Sequence, residues 1–158
     1  MKLLPKSLAM ISALFLLAAC EAGMGAGGAD GKGSGPATPG SQEDLSQNVG
    51  DRVFFDTDSS TLDSEAQATL ARQVEWLKQY GNINVTVEGH ADERGTREYN
   101  IALGERRASA TKRFLVGKGI PANRISTISY GKERPAVIGS DDASWSQNRR
   151  AVSVVSNQ

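Results

Sequence analysis

Eight of the twenty residues from Glu21 to Gly40 are glycine, two are proline (Pro36, Pro39), and none is aromatic. A segment of that kind cannot bury enough apolar surface to offset the entropy of ordering it. It divides the 158-residue chain into a short N-terminal stretch and one block long enough to build a core. Residues 20–48 therefore read as a flexible linker, with a span of roughly 30 Å on average and roughly 95 Å when fully extended. Residues 49–158 read as a single folded domain.

Ahead of the linker, Lys2 and Lys6 precede an almost wholly apolar run from Ser7 to Ala19. That run is too short for a membrane-spanning helix, which needs about 20 residues. Residues 1–19 read instead as a secretory signal peptide. Its end, Leu17-Ala18-Ala19-Cys20, resembles a bacterial lipobox, whose cysteine is lipidated and becomes the first mature residue. Cys20 is the only cysteine, so no disulfide competes for it. Several acyl chains on one residue would give a stable anchor, where a single myristoyl chain is marginal. In this lipoprotein class an Asp after the cysteine commonly signals inner-membrane retention. Glu21 stands there instead, so the expected location is the outer membrane, with the domain facing the periplasm.

Eighteen basic residues balance eighteen acidic ones, and the chain without residues 1–19 keeps 16 against 18. A nucleic-acid partner would call for a concentrated basic face, so none is expected. One histidine and one cysteine give no ligand set for structural zinc and no evident nucleophile pair. No metal, cofactor or enzymatic activity is expected.

Within the domain, Val53-Phe54-Phe55 reads as a first strand. Asp63 and Gln67 resemble a capping box that opens a helix whose buried face carries Ala66, Leu70, Val74 and Leu77, with Gly81 as its left-handed stop. Ile83, Val85 and Val87 alternate with polar residues, the period of a half-covered strand. Thr96 is a good N-cap for a second helix running to Gly117, which Gly119-Ile120-Pro121 closes. Ile125 and Ile128 mark a third strand, and Ala151–Val155 a fourth. The expected fold is an α/β two-layer sandwich of order β-α-β-α-β-β, a mixed four-stranded sheet with helices on one face.

The polar segment Gly89-His90-Ala91-Asp92-Glu93-Arg94-Gly95-Thr96 falls between a strand's carboxyl end and a helix N-terminus, where α/β sheets commonly bind ligands. At 100° per residue from Tyr99, Leu103, Ala110 and Phe114 centre the second helix's apolar stripe near about 30°. Arg106 and Arg107 then flank it, each about 50° away, where an unpaired guanidinium is costly. One of them is expected to meet a carboxylate, internal or belonging to a ligand, and periodicity does not choose between these. Asp92 and Glu93 are adjacent and no further acid is tied to them, which disfavours a glycosidase carboxylate pair. His90 reads as a packed or hydrogen-bonded histidine. Of Arg149 and Arg150, one is expected in solvent and one pinning a loop. Trp76 and Trp145 read as packing residues, the latter partly exposed in a loop from Asp141 to Asn148.

The segment 89–96, together with Tyr99-Asn100 and Leu103-Gly104-Glu105-Arg106-Arg107-Ala108, resembles the OmpA-like C-terminal domain family, also found in flagellar motor stator proteins. Phe55-Asp56-Thr57-Asp58-Ser59-Ser60, Tyr130-Gly131-Lys132-Glu133-Arg134-Pro135 and Asn148-Arg149-Arg150-Ala151-Val152 fit it too, so the likeness covers nearly all of residues 49–158. The lipobox and linker suit its lipid-anchored members. The resemblance implies binding to the peptidoglycan stem peptide through meso-diaminopimelate. Asp92 would take the ammonium of the free α-centre and Arg107 its carboxylate, with Phe55, Asp56, Thr96, Asn100 and Leu103 lining the pocket. It also implies membership of the Tol-Pal system, with roles in envelope integrity and cell division. The alternative within the family is a subunit that mainly docks the periplasmic propeller protein TolB, through an overlapping surface.

Overall fold

The computed structural model describes residues 36–156; residues 1–19, Cys20 and the linker up to residue 35 lie outside the described residues. In chain order the elements are α1 (Gln42–Asp44) running into a π-helical turn (Leu45–Val49), β1 (Arg52–Phe54), α2 (Ser64–Gln79), β2 (Asn84–His90) and α3 (Arg97–Gly117). A 3₁₀ turn (Ala122–Arg124), β3 (Ile125–Gly131), α4 (Asp142–Asn148) and β4 (Arg150–Ser156) complete it. The sheet order is β1-β4-β2-β3. β4 runs antiparallel to both neighbours, and β2 and β3 are parallel, joined by the α3 crossover. This is the mixed four-stranded α/β sandwich, with α2 and α3 packed on the face that carries Val53, Val85, Val87, Ile125 and Ala151.

The folded region begins earlier than residue 49. Ser41 caps this first turn, accepting from the Asp44 amide (3.1 Å), and the Asp44 carboxylate ties it down, accepting from the Gly40 main-chain amide (2.9 Å), the Asn48 side-chain amide (2.8 Å) and the indole N–H of Trp76 (2.8 Å). Leu45 is 1% exposed and joins the core. Residues 41–48 are polar apart from Leu45, so one buried leucine and one carboxylate bonded to Trp76 bring them into the fold, a signal too sparse for periodicity to register.

Other local expectations differ in detail. Asp63 does cap α2, accepting from the Ala66 amide at 2.7 Å, but Gln67 donates to the Leu62 carbonyl and makes no reciprocal box. Gly81 does not adopt a positive φ, whereas Gly119 does (φ 99°). There the Gly119 and Ile120 amides bond to the Val116 and Leu115 carbonyls, the paired pattern that satisfies a helix C-terminus. The segment 142–148 is helical rather than a loop, because Asp141 accepts from the Ser144 amide (2.7 Å) and starts α4. Arg149 and Arg150 both pin structure. Arg149 donates to the Phe55 carbonyl, and Arg150, itself buried, donates to the carbonyls of Asn148 and Arg134.

The buried face of α3 is wider and rotated from the expected stripe. Besides Leu103 and Ala110 it buries Asn100, Gly104, Arg107, Ala108, Thr111 and Leu115, which centres it near about 100° from Tyr99. Arg107 therefore lies in the middle of that face and is 0% exposed, while Arg106 points to solvent. Polar and small residues widen the face, so an apolar count missed them.

Candidate functional site

β2 ends at His90, and the chain then turns across the top of the sheet before α3 begins. The turn is tied down at every step. The Ala91 amide bonds to the Gly131 carbonyl (2.8 Å), and the Lys132 ammonium donates to the carbonyls of Glu93 (3.0 Å) and Gly95 (2.7 Å). The Asn100 side-chain amide donates to the Arg94 carbonyl (2.8 Å). Gly95, at φ 90°, makes the reversal that a side-chain-bearing residue rarely accepts. Thr96 then caps α3, accepting from the Tyr99 amide.

Between this turn, the first turns of α3 and the segment after β1 lies a cleft of about 280 Å³. Thr57, Asp58, Asp92, Arg94, Gly95, Tyr99, Asn100 and Leu103 line it. Asp58 takes a positive φ (58°), which aspartate tolerates, and its carboxylate accepts from the Tyr99 hydroxyl. Of the residues named from sequence, Asp92, Asn100 and Leu103 line this cleft. Phe55 and Asp56 line an adjoining one with Arg149, and Thr96 serves as the helix cap. Thr57, Asp58, Arg94, Gly95 and Tyr99, to which the sequence assigns no role, line the first cleft as well. Their motifs were on view, but no spacing rule says which side chains of a loop turn inward.

Asp92 and Arg107 do not pair with each other. Arg94 grips the Asp92 carboxylate with both arms, Nε to Oδ1 at 3.1 Å and Nη2 to Oδ2 at 2.7 Å, and Arg149 Nη1 lies 3.5 Å from Oδ2. Burial raises the Asp92 carboxyl, but the hydrogen bonds and charge of Arg94, with Arg149, outweigh it and hold the group below the usual carboxylate range. Arg107 spends its N–H groups on main-chain carbonyls: Nε on Ser59 (2.8 Å), Nη1 on His90 (2.9 Å) and Nη2 on Asp56 (3.0 Å). It sits 5.2 Å from the centre of the Phe55 ring and makes no ion pair among the described residues. Burial pushes its guanidinium down to about 10, so it remains charged at neutral pH. His90 is buried against Tyr130; its Nε2 lies 3.5 Å from a Glu88 carboxylate oxygen, and neither ring nitrogen makes a well-formed hydrogen bond among the described residues. Burial first, then the charge of Arg150, pushes it down to about 4, which keeps the imidazole neutral.

Among the described residues no group of three or more His, Cys, Asp or Glu is placed to hold a metal ion, and no helix is long and apolar enough to cross a membrane.

With this fold and cleft in hand, the class is defined: the chain belongs to the OmpA family, whose model matches residues 54–149. It is 62% identical over 125 residues to the peptidoglycan-associated lipoprotein of Rhizobium meliloti, covering 79% of this chain and 71% of that protein. Against the peptidoglycan-associated lipoprotein of Haemophilus influenzae the identity is 43% over 148 residues, covering 93% and 95%. The crystal structure of the peptidoglycan-associated lipoprotein from Burkholderia pseudomallei superposes with a TM-score of 0.67 at 38% identity, covering 72% of this chain and 100% of that one. Within the family, its place is among the peptidoglycan-associated lipoproteins.

Proposed function

We propose that this chain is an outer-membrane lipoprotein, anchored through acylated Cys20, whose domain holds peptidoglycan non-covalently by the diaminopimelate of its stem peptide and so ties the membrane to the cell wall. The observation that carries the reading is a nearly buried Asp92 carboxylate just past the C-terminal end of β2, near a buried, charged Arg107 that has no carboxylate partner among the described residues. A zwitterionic α-centre offers the complementary ammonium and carboxylate, and arginine suits a carboxylate bidentately. Arg107 stands behind the turn Asp56–Ser59. Asp56, Thr57 and Asp58 of that turn are exposed, so it is the part of the wall that yields to a ligand's carboxylate.

The test is co-sedimentation of the full chain with purified sacculi, with and without free meso-diaminopimelate. A lost bond to a charged group costs roughly 1.5–3 kcal/mol. Asp92→Asn should therefore bind about 10- to 150-fold more weakly while melting as a folded domain. A folded Asp92→Asn that binds as the wild type does, or binding indifferent to diaminopimelate, refutes the reading. No bond cleavage is proposed, and incubation should release no muropeptides. For the anchor, Cys20→Ser should leave a soluble form or an uncleaved precursor; a processed, membrane-bound variant would refute lipidation.

The family resemblance supports extending the reading to the Tol system, in envelope integrity and cell division. TolB would dock over the same cleft. Added TolB should then release the chain from sacculi. If TolB binds while sacculi do not, the chain is mainly a protein-docking subunit.

A further inference from the structure

Asp92 reaches the cleft under a lid. Its side chain is 9% exposed, whereas Arg94, which grips both its oxygens, is 40% exposed. Arg94 is thus the exposed partner of the carboxylate, whereas Arg149, 3.5 Å from Oδ2, is 14% exposed, and the Arg94 amide donates to Oδ1 at 3.1 Å. An ammonium that approaches Asp92 from the cleft therefore competes with Arg94 for the same oxygens.

The two partners of this pair are unequal in what separation costs them. Arg94 is held otherwise by contacts at the protein surface: its guanidinium carbon lies 4.2 Å from the centre of the Trp145 ring, and Nη2 is 3.3 Å from the Thr57 hydroxyl. Trp145 is itself fastened, donating its indole N–H to Glu93 at 3.1 Å, so it forms a fixed wall beside the guanidinium. Released into water, the guanidinium regains hydration at little cost. The buried carboxylate does not, because a buried charge needs a partner. Only an exchange of one cation for another leaves Asp92 satisfied.

Resting on the diaminopimelate reading above, we infer that Arg94 is a displaceable stand-in for the ligand's ammonium, seated on Asp92 until an α-ammonium replaces it. The exchange sets a selectivity. A cation that takes the place of Arg94 leaves the local charge unchanged, whereas a ligand that also carries a carboxylate gains Arg107, whose N–H groups meet only main-chain carbonyls among the described residues. A zwitterionic α-centre does so and a simple diamine does not. The protein thereby favours the zwitterion over amines that neutralise Asp92 alone.

The experiment measures binding of meso-diaminopimelate to the full chain by calorimetry, for the wild type, Arg94→Ala, Arg94→Lys and Asp92→Asn. It adds the Arg94 Nε–H resonance of the wild type during titration. Arg94→Ala, with the lid gone, should bind about tenfold more tightly, an effect of about 1.4 kcal/mol. Arg94→Lys, which keeps the charge but loses the fork, should fall between. The Nε–H signal should move to that of a solvent-exposed arginine as the ligand binds, and 1,5-diaminopentane should not move it. Weaker or unchanged binding in Arg94→Ala, or an Nε–H signal that stays put at saturation, overturns the inference and makes Arg94 a fixed part of the site. Failure of the underlying reading looks different: the wild type would not bind diaminopimelate, or Asp92→Asn would bind it equally well.

Discussion

Replacing Arg107 by alanine should damage the fold before it damages recognition. The side chain is 0% exposed and ties three main-chain carbonyls, those of Asp56, Ser59 and His90, across the turn after β1 and the end of β2. Each bond from a charged donor contributes roughly 1.5–3 kcal/mol net, and the three are not independent. Deleting the donor also strands the buried His90 carbonyl and leaves a cavity, so the loss should be about 4 kcal/mol. Set against a typical total of about 5–15 kcal/mol, that is a large fraction. At about 4 °C per kcal/mol for a domain of this size, the melting midpoint should fall by about 15 °C. Arg107→Lys, with one compact ammonium in place of a fork, should lose about half as much. Arg106→Ala, on the solvent side of the same helix, should melt and bind as the wild type does. Thermal melts with urea titrations decide the matter. An Arg107→Ala midpoint within about 3 °C of the wild type would refute the strut and leave Arg107 a purely ligand-directed residue.

Leu45→Ala should cost about 2–5 kcal/mol, because its side chain is buried in the core; a loss below about 1 kcal/mol by urea titration would return residues 41–48 to the linker. Gly89→Ala should destabilise by more than about 3 kcal/mol, since a Cβ there would overlap the Gly104 carbonyl where β2 and α3 touch, and near-normal melting would show that the two elements can part. Acid should weaken the fold through His90. The unfolded imidazole takes a proton below about 6.5, while the folded one resists until about 4, so stability falls as pH drops through that window. The loss by pH 4 should be about 3 kcal/mol. His90→Phe should flatten the melting curve's pH dependence between those values, and an unchanged slope would assign the acid sensitivity to other groups.

How far this molecule could be read from its residues depends on the range of the interactions involved. The helix carrying Ala66, Leu70, Val74 and Leu77 and the alternating strand at Val85 and Val87 were legible because burial on one face imposes a local period. Thr96 was legible because a helix start needs an acceptor within three residues. Arg107 was placed correctly near the buried side of its helix, but its acceptors lie 17, 48 and 51 residues away. They are main-chain oxygens, which carry no residue identity for a motif to record. Charge alone calls for a carboxylate, internal or belonging to a ligand; in the fold three oriented carbonyls solvate the guanidinium, and no internal carboxylate pairs with it among the described residues.

The same reasoning explains why Arg94 escaped notice while Asp92 did not. The family resemblance implies a role for Asp92 and none for Arg94. Arg94 is half-exposed, and its importance lies only in which oxygen atoms it covers. The consequence is an order among the three charges around the cleft. Arg107 cannot leave, because three pieces of backbone depend on it. Asp92 cannot be left uncovered, because burial penalises its charge. Arg94 alone can move without breaking the fold, since its other contacts lie at the surface. In the proposed exchange the ligand would therefore meet an acid and a base that stay in place, with Arg94 and the turn Asp56–Ser59 as the parts that give way.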